Sequence, residues 1–110
     1  MSVTLGMILE ARERLKGVTQ RTGLVQFKAL SDDKSQIYLK TEDLQNTGSF
    51  KLRGSGFKIA MLSEEERKKG VIACSAGNHA QGVAFSCNKL QIKGSIFMPT
   101  TTPKQKIEQV

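Results

Sequence analysis

The range 47–54, Thr-Gly-Ser-Phe-Lys-Leu-Arg-Gly, places Lys51 beside Phe50 at the expected start of a helix. A lysine in the first turn of a helix lies at the positive end of the helix dipole, which favours the neutral, nucleophilic amine. The ring of Phe50 offers an aromatic surface for a flat ligand. Because the chain holds 17 lysines and arginines, only this local pattern distinguishes Lys51 from a solvated surface group.

A second candidate site is the range 75–82, Ser-Ala-Gly-Asn-His-Ala-Gln-Gly, between an apolar segment and a helical pattern. Backbone N–H groups at a helix N-terminus can bind an anion, and Gly77 permits close approach. A substrate carboxylate would suit such a loop. The residues alone equally allow an ordinary strand-to-helix turn with Asn78 as its cap and His79 as a helix-start residue.

The elements around these segments follow from hydrophobic spacing. Residues 4–16 and 80–87 have apolar residues at helical intervals, and Ser63 with Glu66 forms a capping box that opens a short helix. Val71–Cys74 is a continuous apolar run, which is typical of a strand covered on both faces. Further strands are expected at 37–39 and 95–98, and a last helix with Thr102 as its N-cap.

The strand, loop, helix and strand between residues 71 and 98 predict an α/β fold with parallel strands. A parallel sheet needs helices on both faces and enough strands to shelter its edges. Two or three strands do not supply that shelter. We therefore expect residues 1–110 to be part of a larger domain.

Composition narrows the class of protein. The net charge is +7, but the basic residues are dispersed and no nucleic-acid-binding motif is present, so a solvated surface is expected. Cys74 and Cys87 are expected to be buried, reduced thiols, and His79, the only histidine, gives no metal-binding cluster. Without a membrane span or a signal peptide pattern, a cytoplasmic location is expected.

The two candidate segments together resemble the serine/threonine dehydratases, which are fold-type-II pyridoxal-phosphate enzymes. The first segment is similar to their cofactor-attachment motif, including the upstream Glu42 and also Arg53. Ser55 departs from the pattern, where the family usually has a small apolar residue. The second segment is similar to their asparagine loop, and it begins 24 residues after Lys51, in the expected order. The resemblance covers nearly the whole chain and is nearest the catabolic threonine dehydratases.

The resemblance implies a three-layer αβα fold and roles for named residues. Lys51 would form the Schiff base with pyridoxal 5′-phosphate, beside Phe50, and Asn78 would contact the 3′-oxygen of the cofactor. The substrate carboxylate would be held by the loop Ser75, Ala76, Gly77, Asn78 and His79. The implied reaction converts L-threonine to 2-oxobutyrate and ammonia, and L-serine to pyruvate, in amino-acid catabolism or isoleucine biosynthesis.

The resemblance also implies partners, and it leaves three further hypotheses open. Family members are homo-oligomers, and catabolic members bind AMP through positions that match Asn46, Thr47 and Gln81. The first further hypothesis is a serine racemase, although those related enzymes usually have Ser and Gly where Ala76 and Ala80 stand here. The second is a non-catalytic remnant of a dehydratase, and the third is a basic binding module in which the motif matches are accidental.

Overall fold

The computed structural model describes residues 2–110, in which helices and short strands alternate along the chain. The helices and strands are α1 (Leu5–Arg14), β1 (Leu24–Gln26), β2 (Tyr38–Lys40), α2 (Lys51–Ala60), α3 (Glu64–Lys69), β3 (Val71–Cys74), α4 (Asn78–Lys89), β4 (Gly94–Phe97) and α5 (Lys104–Glu108). Short 3-10 helices lie at Lys28–Leu30 and Glu42–Leu44. None of these helices is long and apolar enough to cross a membrane.

Strands β3 and β4 pair in parallel, with Val71 opposite Gly94 and Cys74 opposite Phe97. The connection between them is α4, as a parallel pair requires. This unit confirms the α/β fold and the parallel strands that the apolar runs predicted. Its carboxyl edge leads directly into the loop that precedes α4, because the N–H of Ser75 donates to the carbonyl of Phe97 over 3.1 Å.

Strands β1 and β2 form a separate antiparallel pair, in which Val25 lies opposite Leu39. The sequence predicted β2 but not β1. Three residues are too few to show periodicity, and β1 is stabilised by a partner strand more than ten residues away.

The core lies where α2 and α4 pack on each other and on β3. Leu52 is fully buried, and it packs with Leu15 and Val18 from the segment after α1. A second group of buried side chains joins α2 to the parallel sheet: Ile59, Ala73, Val83, Cys87 and Ile92. The small-residue face of α4 is therefore confirmed as its buried face.

Gly82 permits the close approach of α4 to α2, and Gly56 permits the segment after α1 to pack on α2. A Cβ on Gly82 would lie 2.7 Å from Ser55 Oγ and 3.3 Å from the carbonyl carbon of Lys51. On Gly56, a Cβ would lie 3.0 Å from both Leu15 and Val18 side-chain carbons. The backbone of α2 at Lys51 is thereby held against the second turn of α4.

Two local predictions were wrong. Cys74 is exposed, because the outer face of β3 is uncovered among the described residues, whereas Cys87 is buried, and burial raises the pKa of its thiol. Thr102 is not the N-cap of α5, since Pro103 takes that position in an extended conformation, with ψ of 138°. Helix α1 itself forms where the spacing predicted it, and its apolar residues, Leu5 among them, are exposed in the described structure.

Candidate functional site

Lys51 is the first residue of α2, and its side chain is exposed. Its backbone N–H donates to Ser49 Oγ over 3.2 Å, so a buried serine fixes the helix start. Lys51 Nζ lies 5.4 Å from the centroid of the Phe50 ring, which is 60% exposed. An amine and an aromatic face therefore lie together at an accessible helix N-terminus.

Arg53, in the first turn of α2, is held by Glu42. Its Nη2 donates to Glu42 Oε1 over 2.7 Å and its Nε to Oε2 over 2.9 Å, a bidentate ion pair. Thr22 Oγ1 donates to the same carboxylate. The hydrogen bond from Arg53 is the main reason that the pKa of Glu42 is lowered to about 2. Desolvation by burial acts in the opposite direction and raises this pKa, whereas the hydrogen bond from Thr22 lowers it further. This ion pair ties the helix that begins with Lys51 to the segment before it.

The loop from Ser75 to Gly77 leads from β3 into α4. Ser75 Oγ accepts a hydrogen bond from Gly77 N over 3.3 Å, which turns the chain into the helix. Gly77 is the N-cap residue, and α4 has no side-chain cap. Within residues 2–110, the N–H groups of Asn78 and His79 have no hydrogen-bond acceptor. A Cβ built on Gly77 meets no atom within 4 Å, so the space beside these donors is open.

The two candidate segments are brought together by the packing of α2 on α4. Gly82, one turn after Asn78, lies against the backbone of Lys51. Both helices thus begin near each other, and the positive ends of two helix dipoles lie in one region of the surface. An anionic ligand between them would be stabilised by both.

A cavity of about 480 Å³ lies beside His79, between α2, α3 and β3. Its wall includes the apolar side chains of Ile59, Ile72 and Val83. Of the residues predicted for the cofactor and the carboxylate, only His79 lines this cavity. The cavity therefore belongs to the uncovered face of β3, rather than to the region around Lys51.

The three residues predicted to bind a nucleotide effector line another cavity, of about 490 Å³. Thr47 Oγ1 is buried there without a hydrogen-bond partner among the described residues. Asn46 Nδ2 donates to the carbonyl of Val18 over 2.9 Å, and Gln81 Nε2 donates to Gln109 Oε1 over 2.9 Å. The three side chains are therefore brought together, although two of them already have partners within the chain.

An exposed lysine at one helix start, with an uncapped helix start beside it, suits a class of enzymes that bind an aldehyde cofactor through lysine. The family model described as "Pyridoxal-phosphate dependent enzyme" matches residues 15–110. The chain belongs to this family, whose members depend on pyridoxal phosphate, and the resemblance stated from the two segments is confirmed.

Individual relatives agree with this assignment. The chain is 54% identical over 104 residues to the biosynthetic L-threonine dehydratase of Bacillus subtilis, covering 94% of this chain and 25% of that protein. It is 46% identical over 108 residues to the catabolic L-threonine dehydratase of Escherichia coli, covering 97% and 33%. Among solved structures, maize serine racemase superposes with a TM-score of 0.88 at 31% identity, covering 100% and 34%. The chain spans between a quarter and a third of the length of these proteins.

The residues present fit part of the cofactor. Lys51 supplies the primary amine that an aldehyde requires, and the exposed Phe50 ring offers a face for the pyridine ring. Asn78, at the start of α4, supplies an amide that could donate to the phenolic oxygen. No residue of the chain is assigned to the cofactor phosphate.

Sequence reasoning included Glu42 and Arg53 in the motif but did not predict that they bind each other. The pairing depends on how the 3-10 helix Glu42–Leu44 packs against α2, and spacing along the chain does not reveal that contact. Thr22, which completes the network, was missed entirely. A buried threonine in a polar segment gives no signal of its partner.

Proposed function

We propose that the complete protein containing this chain converts L-threonine to 2-oxobutyrate and ammonia, and L-serine to pyruvate and ammonia. The proposal rests on one observation above others: Lys51 opens α2 directly against α4, whose own N-terminus is uncapped. The names of the relatives support the substrate, since both the biosynthetic and the catabolic protein are threonine dehydratases. The proposed reaction is the one that the names of these two relatives share, and it applies whether the metabolic role is biosynthetic or catabolic.

The cofactor would be held by Lys51, Phe50 and Asn78. Lys51 would bind it covalently through Nζ, Phe50 would support one face of the ring, and the Asn78 amide would donate to the 3′-oxygen. When bound, pyridoxal phosphate supplies an electron-withdrawing ring that weakens the Cα–H bond of the amino acid.

The loop Ser75, Ala76, Gly77, Asn78 and His79 would hold the substrate carboxylate. The unpaired N–H groups of Asn78 and His79 are its donors, and the dipole of α4 adds to the attraction. With the carboxylate fixed at one end, the Cα–H bond can be oriented toward Lys51, and such orientation contributes to the rate.

Once the amino group of the substrate has replaced Lys51 on the cofactor aldehyde, the freed Nζ would take the Cα proton as a general base. The tie between Arg53 and Glu42 holds the first turn of α2, so it restricts where this amine can lie. The hydroxyl leaves from the β-carbon with a proton, and hydrolysis of the resulting enamine releases ammonia. The water lost in the first step is regained in the second.

We further propose that residues 1–110 form the N-terminal part of a catalytic domain, in a cytoplasmic homo-oligomer. Its relatives are three to four times longer, and Ile72 on β3 and Phe97 on β4 are 73% and 60% exposed. Such apolar side chains need further elements to cover them. The isolated 110-residue chain is expected to give no turnover, because it lacks an assigned anchor for the cofactor phosphate.

AMP is proposed as an effector at Asn46, Thr47 and Gln81. The support is that the three residues line one cavity and that Thr47 Oγ1 is buried there without a partner among residues 2–110. No nucleic acid or membrane partner is proposed.

Serine racemisation is the second candidate, favoured by the superposition with the maize enzyme. Both activities need a lysine at the position of Lys51 and a carboxylate site beside it. Ala76 and Ala80 favour the dehydratase, because the related serine racemases usually have Ser and Gly at these two positions.

The test is 2-oxobutyrate formation by the complete protein, comparing the wild type with Lys51→Ala and with Lys58→Ala. Loss of the base and of the covalent tether should lower turnover by about 10³-fold or more in Lys51→Ala. Lys58, an exposed lysine in the same helix, serves as the control and should remain active. Formation of D-serine without any 2-oxo acid would establish the racemase instead, and full activity of Lys51→Ala would refute both.

A further inference from the structure

A separate cavity of about 390 Å³ lies between the end of α1, the segment that follows it, and β2. Five of its eight lining residues are cationic: Arg12, Lys16, Arg21, Lys40 and Arg53. None of the eight is acidic. The cavity shares no lining residue with those proposed to bind the cofactor, the carboxylate or AMP.

Two of the five cations are already paired. Arg53 is bound to Glu42, and Lys16 is bound to Glu13. Arg12, Arg21 and Lys40 have no carboxylate within 4.0 Å among residues 2–110. Three positive charges without an ion-pair partner within 4.0 Å among the described residues therefore line one concave space.

Convergent like charges destabilise a fold unless a counter-ion relieves them. Lys40 Nζ donates to the carbonyl of Thr22 over 2.8 Å, which holds this ammonium near the cavity rather than leaving it free in solvent. Arg53 Nη1 makes no hydrogen bond within the described residues, so it also remains available at the cavity wall.

We propose that this cavity binds a small molecule that bears phosphate groups. Guanidinium groups bind phosphate through two parallel hydrogen bonds, and two or three further cations match the charge of a di- or triphosphate. A cavity of about 390 Å³ has the size of a small-molecule pocket. Its concave shape favours a compact anion over an extended polymer.

The experiment measures binding of inorganic pyrophosphate by calorimetry to the complete protein saturated with pyridoxal phosphate. Saturation occupies the cofactor's own phosphate site, so that heat cannot come from there. We expect one pyrophosphate per chain, with binding weakened by added salt because the cations are exposed. Since heat of binding is read instead of turnover, the result does not depend on the proposed reaction.

Two double variants decide the question. The test variant combines Arg12→Gln with Arg21→Gln, and the control variant combines Lys34→Gln with Lys68→Gln. Both pairs remove two exposed positive charges, but Lys34 and Lys68 do not line the cavity. The arginine pair should weaken binding by about tenfold or more, and the lysine pair by much less. Equal weakening in both pairs, unchanged binding in the arginine pair, or no binding to the wild type would each overturn the proposal. An unchanged urea midpoint confirms that either variant is folded.

Discussion

Helices α3 and α4 begin in opposite ways. At α3, Ser63 Oγ accepts from the N–H of Glu66 over 3.3 Å, and Glu66 Oε2 accepts from the N–H of Ser63 over 2.8 Å. Three glutamates occupy its first turn. At α4, the N-cap is Gly77, no side chain caps the helix, and its first turn has no acidic residue.

The contrast between the two helix starts distinguishes a start built for stability from one that leaves backbone donors free for a ligand. A capping box satisfies two backbone groups with the helix's own side chains, and acidic residues complement the dipole, so α3 is stable as it stands. The start of α4 lacks both features, although a serine or aspartate at residue 77 could cap one of its N–H groups. A helix start that forgoes this stabilisation retains unpaired N–H groups for a ligand, here proposed to be the substrate carboxylate.

Among the helix-start variants, the largest expected effect on catalysis is that of Gly77→Ala. The added methyl meets no atom of the described chain, and the φ of Gly77, −130°, is accessible to alanine, so folding should be unchanged. The methyl would instead occupy the space where the carboxylate approaches. We expect kcat/KM for threonine to fall by about tenfold or more, mainly through KM. Unchanged kinetics would show that the loop is only a turn.

The matched control is Gly82→Ala, the same substitution one turn into α4. Its Cβ would lie 2.7 Å from Ser55 Oγ, so it should lower the free energy of unfolding by about 1–3 kcal/mol. Adding Ser55→Ala removes the nearest contact and should restore part of that loss. Urea denaturation measures both, and a Gly82→Ala protein as stable as wild type would contradict the close packing of α2 on α4.

The start of α2 lies between these two cases. Its N-cap residue, Phe50, makes no side-chain cap, but Ser49 Oγ accepts from the N–H of Lys51 and Glu42 holds Arg53. Glu42→Gln should lower the free energy of unfolding at pH 7 by about 2 kcal/mol, because it leaves the guanidinium without its charged acceptor. The pKa of Glu42 is lowered from 4.5 to about 2 in the folded protein. The stabilising contribution is therefore complete above about pH 4.5 and is lost as the pH falls toward 2.

Stability of wild type and Glu42→Gln should converge over that acidic range. The measurement is the urea midpoint at several pH values between 7 and the lowest pH at which the protein stays folded. A difference that stays constant down to pH 3 would show that the ion pair does not hold α2.

The smallest expected effect is that of Ser63→Ala, which removes the N-cap of α3. It should lower the free energy of unfolding by about 1 kcal/mol and leave kcat and KM unchanged, because Ser63 and Glu66 satisfy each other. Kinetic effects comparable to those of Gly77→Ala would remove the distinction between the two helix starts.

Sequence reasoning succeeded where the signal is local. The capping box at Ser63, the apolar run of β3 and the small-residue face of α4 each depend on neighbouring residues, and each is confirmed. The burial of Cys74 was predicted wrongly, because its exposure depends on which elements cover β3.

The residues of the candidate site could be proposed from the sequence, but their arrangement in space could not. Lys51 and the Ser75–Gly77 loop were identified by pattern. Their proximity depends on Gly82, and the role of Gly82 becomes visible only when α2 and α4 are seen packed together. The basic cavity was missed for the same reason. Arg12, Arg21 and Lys40 are dispersed along the chain, and only the fold gathers them around one space.

The assignment of Lys51 as the cofactor-binding lysine is tested most directly by borohydride reduction of the complete, cofactor-loaded protein followed by peptide mass mapping. Reduction fixes the cofactor to whichever lysine binds it. The account predicts one pyridoxyl group per chain, on the peptide that contains Lys51, and none on that peptide in Lys51→Ala. A pyridoxyl group on Lys58 or another lysine in the wild type would contradict it.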